Sequence, residues 1–180
     1  MADETLSEAL KEAYASAPSD VILLHTLELR HPAFVDDDGN ETAIRVVRDH
    51  VDHVCTLEDS ASLNPGEAVE FVAMAFDLSL PTVNTSPTPE ITVTIDNVST
   101  EIIAYLDKAI ETQDMIELTY RPYLSNDLTE PQMNPPITLT ISEINVDILK
   151  ITATASMMDI GNLSFPSENY TVAKYPALTR

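Results

Sequence analysis

The residues best suited to chemistry lie between positions 25 and 55: His25, His50, His53 and the single cysteine, Cys55. On a strand, His53 and Cys55 share one face and His50 takes the other. Two ligands do not make a tetrahedral metal site, and no second cysteine or nearby histidine supplies the rest. A thiolate at Cys55 activated by His25 or His50 would be a nucleophile. Its apolar, alternating surroundings point instead to a buried, inert thiol beside a partly buried histidine. The acidic run Asp36-Asp37-Asp38-Gly39-Asn40-Glu41 resembles a calcium loop only superficially. Such a loop wants acids at alternate positions before the glycine, and Phe34 stands where the first ligand belongs. A solvated hairpin tip is the expected role.

Other reaction types fare no better. A Ser–His–Asp triad needs no fixed spacing, so none is located here. No nucleophile elbow, His-Glu-x-x-His helix or cysteine pair occurs. Three glycines leave no phosphate-cradling loop, and thirty acids produce close carboxylate pairs by chance. No catalytic, cofactor-binding or metal-binding residue is assigned, no cofactor is expected, and the chain is read as a non-enzyme.

The charge balance narrows the partners. Thirty acidic against nine basic residues give a net charge of −21. Such a surface repels nucleic-acid phosphates and anionic membrane. With 180 residues, 44% of them hydrophobic, one self-sufficient core is expected. No run of 18 apolar residues is present, so no membrane insertion is expected. The opening MADETLSEALKEAY lacks the basic start and apolar block of a secretion signal. A lone cysteine cannot form an internal disulfide.

The elements that must position these residues follow from periodicity. Leu6, Ala9, Leu10, Ala13 and Tyr14 form one face of a helix over 3–16, stopped by Pro18. It packs on its own domain or docks on a neighbour. Residues 1–18 are taken as this helix and 19–180 as a single β domain. Strands are expected over 21–30 and 43–49, an antiparallel pair, and over 51–57. One long strand covers 68–80, and further strands 91–95, 114–123, 137–146 and 148–155. The helix 99–112 has Ser99 as its cap and Ile102, Ile103, Leu106, Ala109 and Ile110 as its buried stripe. Loops 81–89 and 125–136 are proline-rich. The fold class is mainly β: an antiparallel barrel or sandwich with an N-terminal and an inserted helix.

Several segments of the second half carry a family resemblance: PEITVTIDNVSTEIIAYL, IELTYRPYLSNDLTEPQ and the ending DIGNLSFPSENYTVAKYPAL. The most specific pieces are Tyr120, Arg121, Pro122 and Tyr123, and then Asp159, Asn162, Phe165, Pro166, Tyr170, Tyr175 and Pro176. They resemble a family of tailed-phage and prophage proteins catalogued as a domain of unknown function and met among tail genes. The opening HTLELRHPAFVDDDGNETAIRVVRD is similar to the same family's first hairpin. These motifs are structural and carry no catalytic signature.

The resemblance implies a tail-tube-like β-barrel with a flanking helix, similar to distal tail proteins and lambda-like minor tail proteins. It implies a homo-oligomeric ring of six copies, or alternatively three, in the tail tip or baseplate of the virion, assembled in the host cytoplasm. Expected partners are other copies of the chain, the tail tube protein, the hub or central fibre protein, and the tape measure protein. DNA would pass without specific binding. Strands apolar on both faces would have their second face covered by a neighbouring subunit, and the proline-rich loops would be arms between subunits. The alternative is a receptor- or glycan-binding β-sandwich module at the tail tip; the absence of tryptophan weakens its sugar-stacking surface.

Overall fold

A computed structural model describes residues 7–16, 21–36, 38–79, 90–96, 100–110, 112, 114–147 and 150–156. The fold is mainly β, with two helices. Helix α1 spans Glu8–Ser16, followed by strands β1 (Leu23–Val35), β2 (Glu41–Val47), β3 (His53–Thr56), β4 (Ala68–Ala73), β5 (Phe76–Ser79) and β6 (Glu90–Asp96). Helix α2 (Thr100–Ile110) precedes β7 (Glu117–Leu124), β8 (Ile137–Val146) and β9 (Lys150–Ser156). Residues 1–6, the cap Ser99 and the loop 81–89 lie outside the described residues.

The strands form one nine-stranded sheet in the order β3-β4-β2-β1-β7-β8-β9-β6-β5. This corrects two expectations. The ladder is not closed into a barrel, since β3 and β5 stand at its ends. Nor is it wholly antiparallel: β2 and β4 run parallel, with Val46 opposite Val72 and Val47 opposite Ala73. The physical cause is the route between them. The chain leaves β2, makes the antiparallel partner β3, and brings β4 back along β2 in the same direction.

A third correction concerns the long strand over 68–80, which is split at Met74-Ala75 into β4 and β5. The Met74 N–H still donates to the Val47 carbonyl of β2, at 2.9 Å. The next residue serves the opposite edge: the Ala75 carbonyl accepts from the Asp96 N–H of β6, at 3.0 Å. One strand, bent at two residues, therefore touches both ends of the sheet order, and the sheet curls.

The curl encloses the larger core. Leu27, Leu29, Ile44, Val46, Val93, Ile95, Leu118, Leu139, Ile141 and Ile151 point to one face. Alternation along each strand puts them there. Ile102, Leu106 and Ala109 of α2 close over the same core, as the spacing of the helix stripe predicts. Lys108, in the last turn of α2, suits the negative helix end and lies 5.2 Å from the Tyr105 ring centroid.

The opposite face buries a second, smaller core of Leu24, Val47, Cys55, Leu57, Ala61, Phe71 and Tyr123. Its cover is the chain's own β3–β4 hairpin and the loop after β3, so the second apolar face of β1 and β7 needs no neighbouring subunit there. The proline-rich loop 125–136 also folds back on its own domain: the Gln132 N–H donates to the Pro122 carbonyl, and the Leu128 carbonyl accepts from the Thr56 N–H. Helix α1 docks on this loop. The Ser7 N–H and Oγ donate to the Gln132 carbonyl and Oε1, at 3.0 and 2.6 Å, and Leu10 is buried. No helix among the described residues is long and apolar enough to cross a membrane.

Candidate functional site

The motif Tyr120-Arg121-Pro122-Tyr123 lies on β7, opposite Leu24–Leu27 of β1. Alternation sends Tyr120 to the larger core and Arg121 and Tyr123 to the smaller one. Arg121 is 2% exposed, and its charge is fully compensated. Its Nε and Nη2 donate to both oxygens of Glu58, at 2.7 and 2.9 Å. Its Nη1 donates to Glu28, at 3.3 Å. The second Glu28 oxygen accepts from Arg45 Nε at 2.7 Å, and Arg45 Nη2 reaches Asn64 Oδ1 at 2.8 Å. Two guanidinium groups and two carboxylates thus neutralise one another under the loop 57–67. Burial works against the Arg121 charge; Glu58 and Glu28 outweigh it and hold its pKa above the ordinary value.

Tyr123 completes the clamp. Its hydroxyl donates to the Thr56 carbonyl at 2.8 Å, and its ring packs against Phe71. Burial pushes its pKa up. Gly66 turns this loop with φ +67°, and a Cβ there would meet Asp59 Oδ1 at 2.9 Å.

The clamp borders a groove of about 610 Å³, lined among others by Ser7, Glu58, Asp59, Thr129, Gln132 and Asn134. Its floor is polar and its carboxylate Glu58 is already held by Arg121. The groove offers hydroxyl, amide and carboxylate groups for hydrogen bonding.

The histidine and cysteine residues do not converge on a common site. Cys55 is buried in the smaller core, and burial raises its thiol to about 11, well above what a nucleophile needs. His53 Nε2 pairs with Asp49 Oδ2 at 2.6 Å, which lowers the Asp49 pKa. His50 is exposed. His25 Nδ1 meets the Tyr120 hydroxyl at 2.8 Å; burial, and then Arg48, lower its pKa. Among the described residues, no group of three or more His, Cys, Asp or Glu is placed to hold a metal ion. In the acidic tip, Asp36 Oδ1 accepts from the N–H groups of Asp38 and Asn40, at 3.0 and 2.8 Å. That is a side-chain-locked turn.

Periodicity did not single out Glu28, Arg45, Glu58 or His31. His31 is buried: its Nδ1 accepts from the Ala33 N–H at 3.0 Å, and its Nε2 lies 3.2 Å from the Asp114 carbonyl. The one sequence signal for the clamp is charge inside apolar runs, as in Leu27-Glu28-Leu29 and Ile44-Arg45-Val46. The remaining motif residues, Asp159, Asn162, Phe165, Pro166, Tyr170, Tyr175 and Pro176, lie outside the described residues.

A family profile described as a domain of unknown function, DUF1833, matches residues 9–170. The chain belongs to this family. No curated protein matches it significantly. The matched span takes in α1 from its second residue, every strand of the sheet and the Arg121 clamp.

Proposed function

We propose that the chain is a structural subunit of a phage tail tip, a distal or minor tail protein. Copies form a ring, six or alternatively three, joining the tail tube to the central hub or receptor-binding fibre. The observation that carries this reading is the curl of the sheet around α2, with Met74 and Ala75 bridging its two ends. A curled sheet with a helix across its core is the shape a tail-tube-like wall element needs. The resemblance of the Tyr120–Tyr123 region to tail-gene products supports the same reading. So does the charge of −21, which lets DNA pass a ring without adhering.

The rigid clamp has a mechanical role in this account. A ring subunit must hold its edges in fixed relative positions. The Glu58–Arg121–Glu28–Arg45 chain ties the β3–β4 hairpin and its loop to the central strands β1, β2 and β7. The test is co-expression with the tail tube and hub proteins of the same phage or prophage. Co-purification in a defined ratio supports the proposal; a chain that binds neither contradicts it.

The polar groove beside Gln132 favours one second reading, a receptor- or glycan-binding module at the tail tip. Saturable binding of the isolated chain on a glycan array, lost on substitution of the exposed groove residue Asn134→Ala, would establish that role.

A further inference from the structure

The strand formed by β4 and β5 has two edges, and its hydrogen bonds sort them. Residues 71, 73 and 75 serve one edge: Phe71 faces β3, the Ala73 N–H donates to Asp52 Oδ1 at 2.7 Å, and the Ala75 carbonyl accepts from β6. Met74 serves the other edge, bonded to Val47 of β2. Beyond Met74, β2 turns away at Arg48. Phe76 is buried, and alternation then aims the N–H and C=O of half-buried Leu78 outward along this second edge, where no described residue meets them.

The other end of the ladder has the same character and the opposite direction. In β3, Thr56 points away from β4; its N–H is taken by Leu128 and its C=O by Tyr123. Alternation aims the N–H and C=O of Val54 the same way, and no described residue meets them. Val54 is 58% exposed, Val51 58% and Val72 49%, an apolar group on an otherwise acidic surface.

We propose that these two edges bind each other between copies: the segment Val51–Cys55 of one subunit adds to the β5 edge of the next. This rests on the ring reading above and names its contact. Three observations choose a second copy as the occupant. The edges left unmet by the described residues lie on opposite sides of one strand, the head-to-tail arrangement that closes into a ring when the rotation allows. A groove of about 520 Å³ lies open at the start of β5, lined among others by Arg48, His50, Met74, Phe76, Asp77 and Asp96. Exposed Val51 and Val54 lie on the incoming segment itself, apolar surface that a second copy would cover, while Arg48 at the groove pairs with Asp77 of its own chain at 3.0 Å. Main-chain hydrogen bonds carry no net charge, so they form between copies that repel at long range.

Proline substitution tests this directly. Leu78→Pro and Val54→Pro each remove one outward N–H and leave the ladders to β6 and β4 intact, because Asp77, Ser79, His53 and Cys55 face those partners. Leu78→Ala keeps the N–H and is the control. The wild-type chain and Leu78→Ala assemble, and each proline variant alone stays at the mass of one chain. An equimolar mixture of the two proline variants stops at a dimer, since each retains the edge the other lacks. In wild-type assemblies the amides of Val54 and Leu78 exchange at least about tenfold more slowly than in dilute monomer, a readout independent of any variant's folding. A proline variant that melts like the wild type and still assembles fully overturns the edge contact and leaves the ring standing. Unchanged exchange at both amides in an assembled ring does the same. A wild-type chain that never assembles overturns both.

Discussion

The Arg121 guanidinium grips the Glu58 carboxylate through two parallel hydrogen bonds, of 2.7 and 2.9 Å, between residues 63 positions apart. This bidentate pair is buried, and it holds the loop after β3 onto β7. Its geometry makes the motif residue Arg121 a structural anchor.

Breaking one side of this pair leaves an uncompensated buried charge. Glu58→Ala is expected to destabilise the chain by about 3–5 kcal/mol. Replacing Arg121 and Glu58 together with methionine and leucine is expected to cost less than Glu58→Ala alone, although Glu28 then loses one partner. Denaturant unfolding of the three proteins checks the order; equal stability of Glu58→Ala and wild type would remove the clamp from the account.

Tyr123→Phe isolates a single hydrogen bond. It strips the Thr56 carbonyl of its partner and leaves the packing against Phe71 in place. The expected loss is about 1–3 kcal/mol, read from the same unfolding curves. Phe71→Ala, which opens a cavity in the smaller core, should cost about 3–5 kcal/mol.

His25 sets one part of the acid response. Its folded pKa lies below the ordinary 6.5, through burial and then through Arg48. The unfolded chain therefore takes up this proton first as pH falls. Stability drops as pH falls through 6.5 and stops dropping from this cause below the folded pKa. His25→Gln, which can still bond Tyr120, is expected to flatten the melting temperature between pH 7 and 5 relative to wild type. An unchanged slope contradicts the assignment.

Much of the fold was legible because the strands alternate cleanly. Ile91, Val93 and Ile95 face inward as their spacing requires, and the apolar stripe of α2 meets the core with Ile102, Leu106 and Ala109. The bend at Met74-Ala75 was not legible, because Ala68–Leu80 alternates without interruption through it. Only the tertiary partners, β2 on one edge and β6 on the other, divide that strand. The strand over 21–30 continues to Val35 past Pro32 because a bulge between Arg30 and Val35 absorbs the irregularity. The clamp stayed hidden for a different reason. Glu28 and Arg45 sit at positions that alternation assigns to a wet face, and the loop that covers them comes from distant residues. The cover on that face explains why a neighbouring subunit was expected where the chain supplies its own.

The most direct test of the central claim is the mass of the purified wild-type chain by light scattering, at low and at moderate salt, with negative-stain images of the same samples. The account predicts a closed ring of six or three copies, favoured as salt screens the charge of −21 on each copy. A 19.8 kDa monomer at every salt concentration would contradict the self-assembling ring, and assembly that weakened steadily with added salt would contradict its electrostatics.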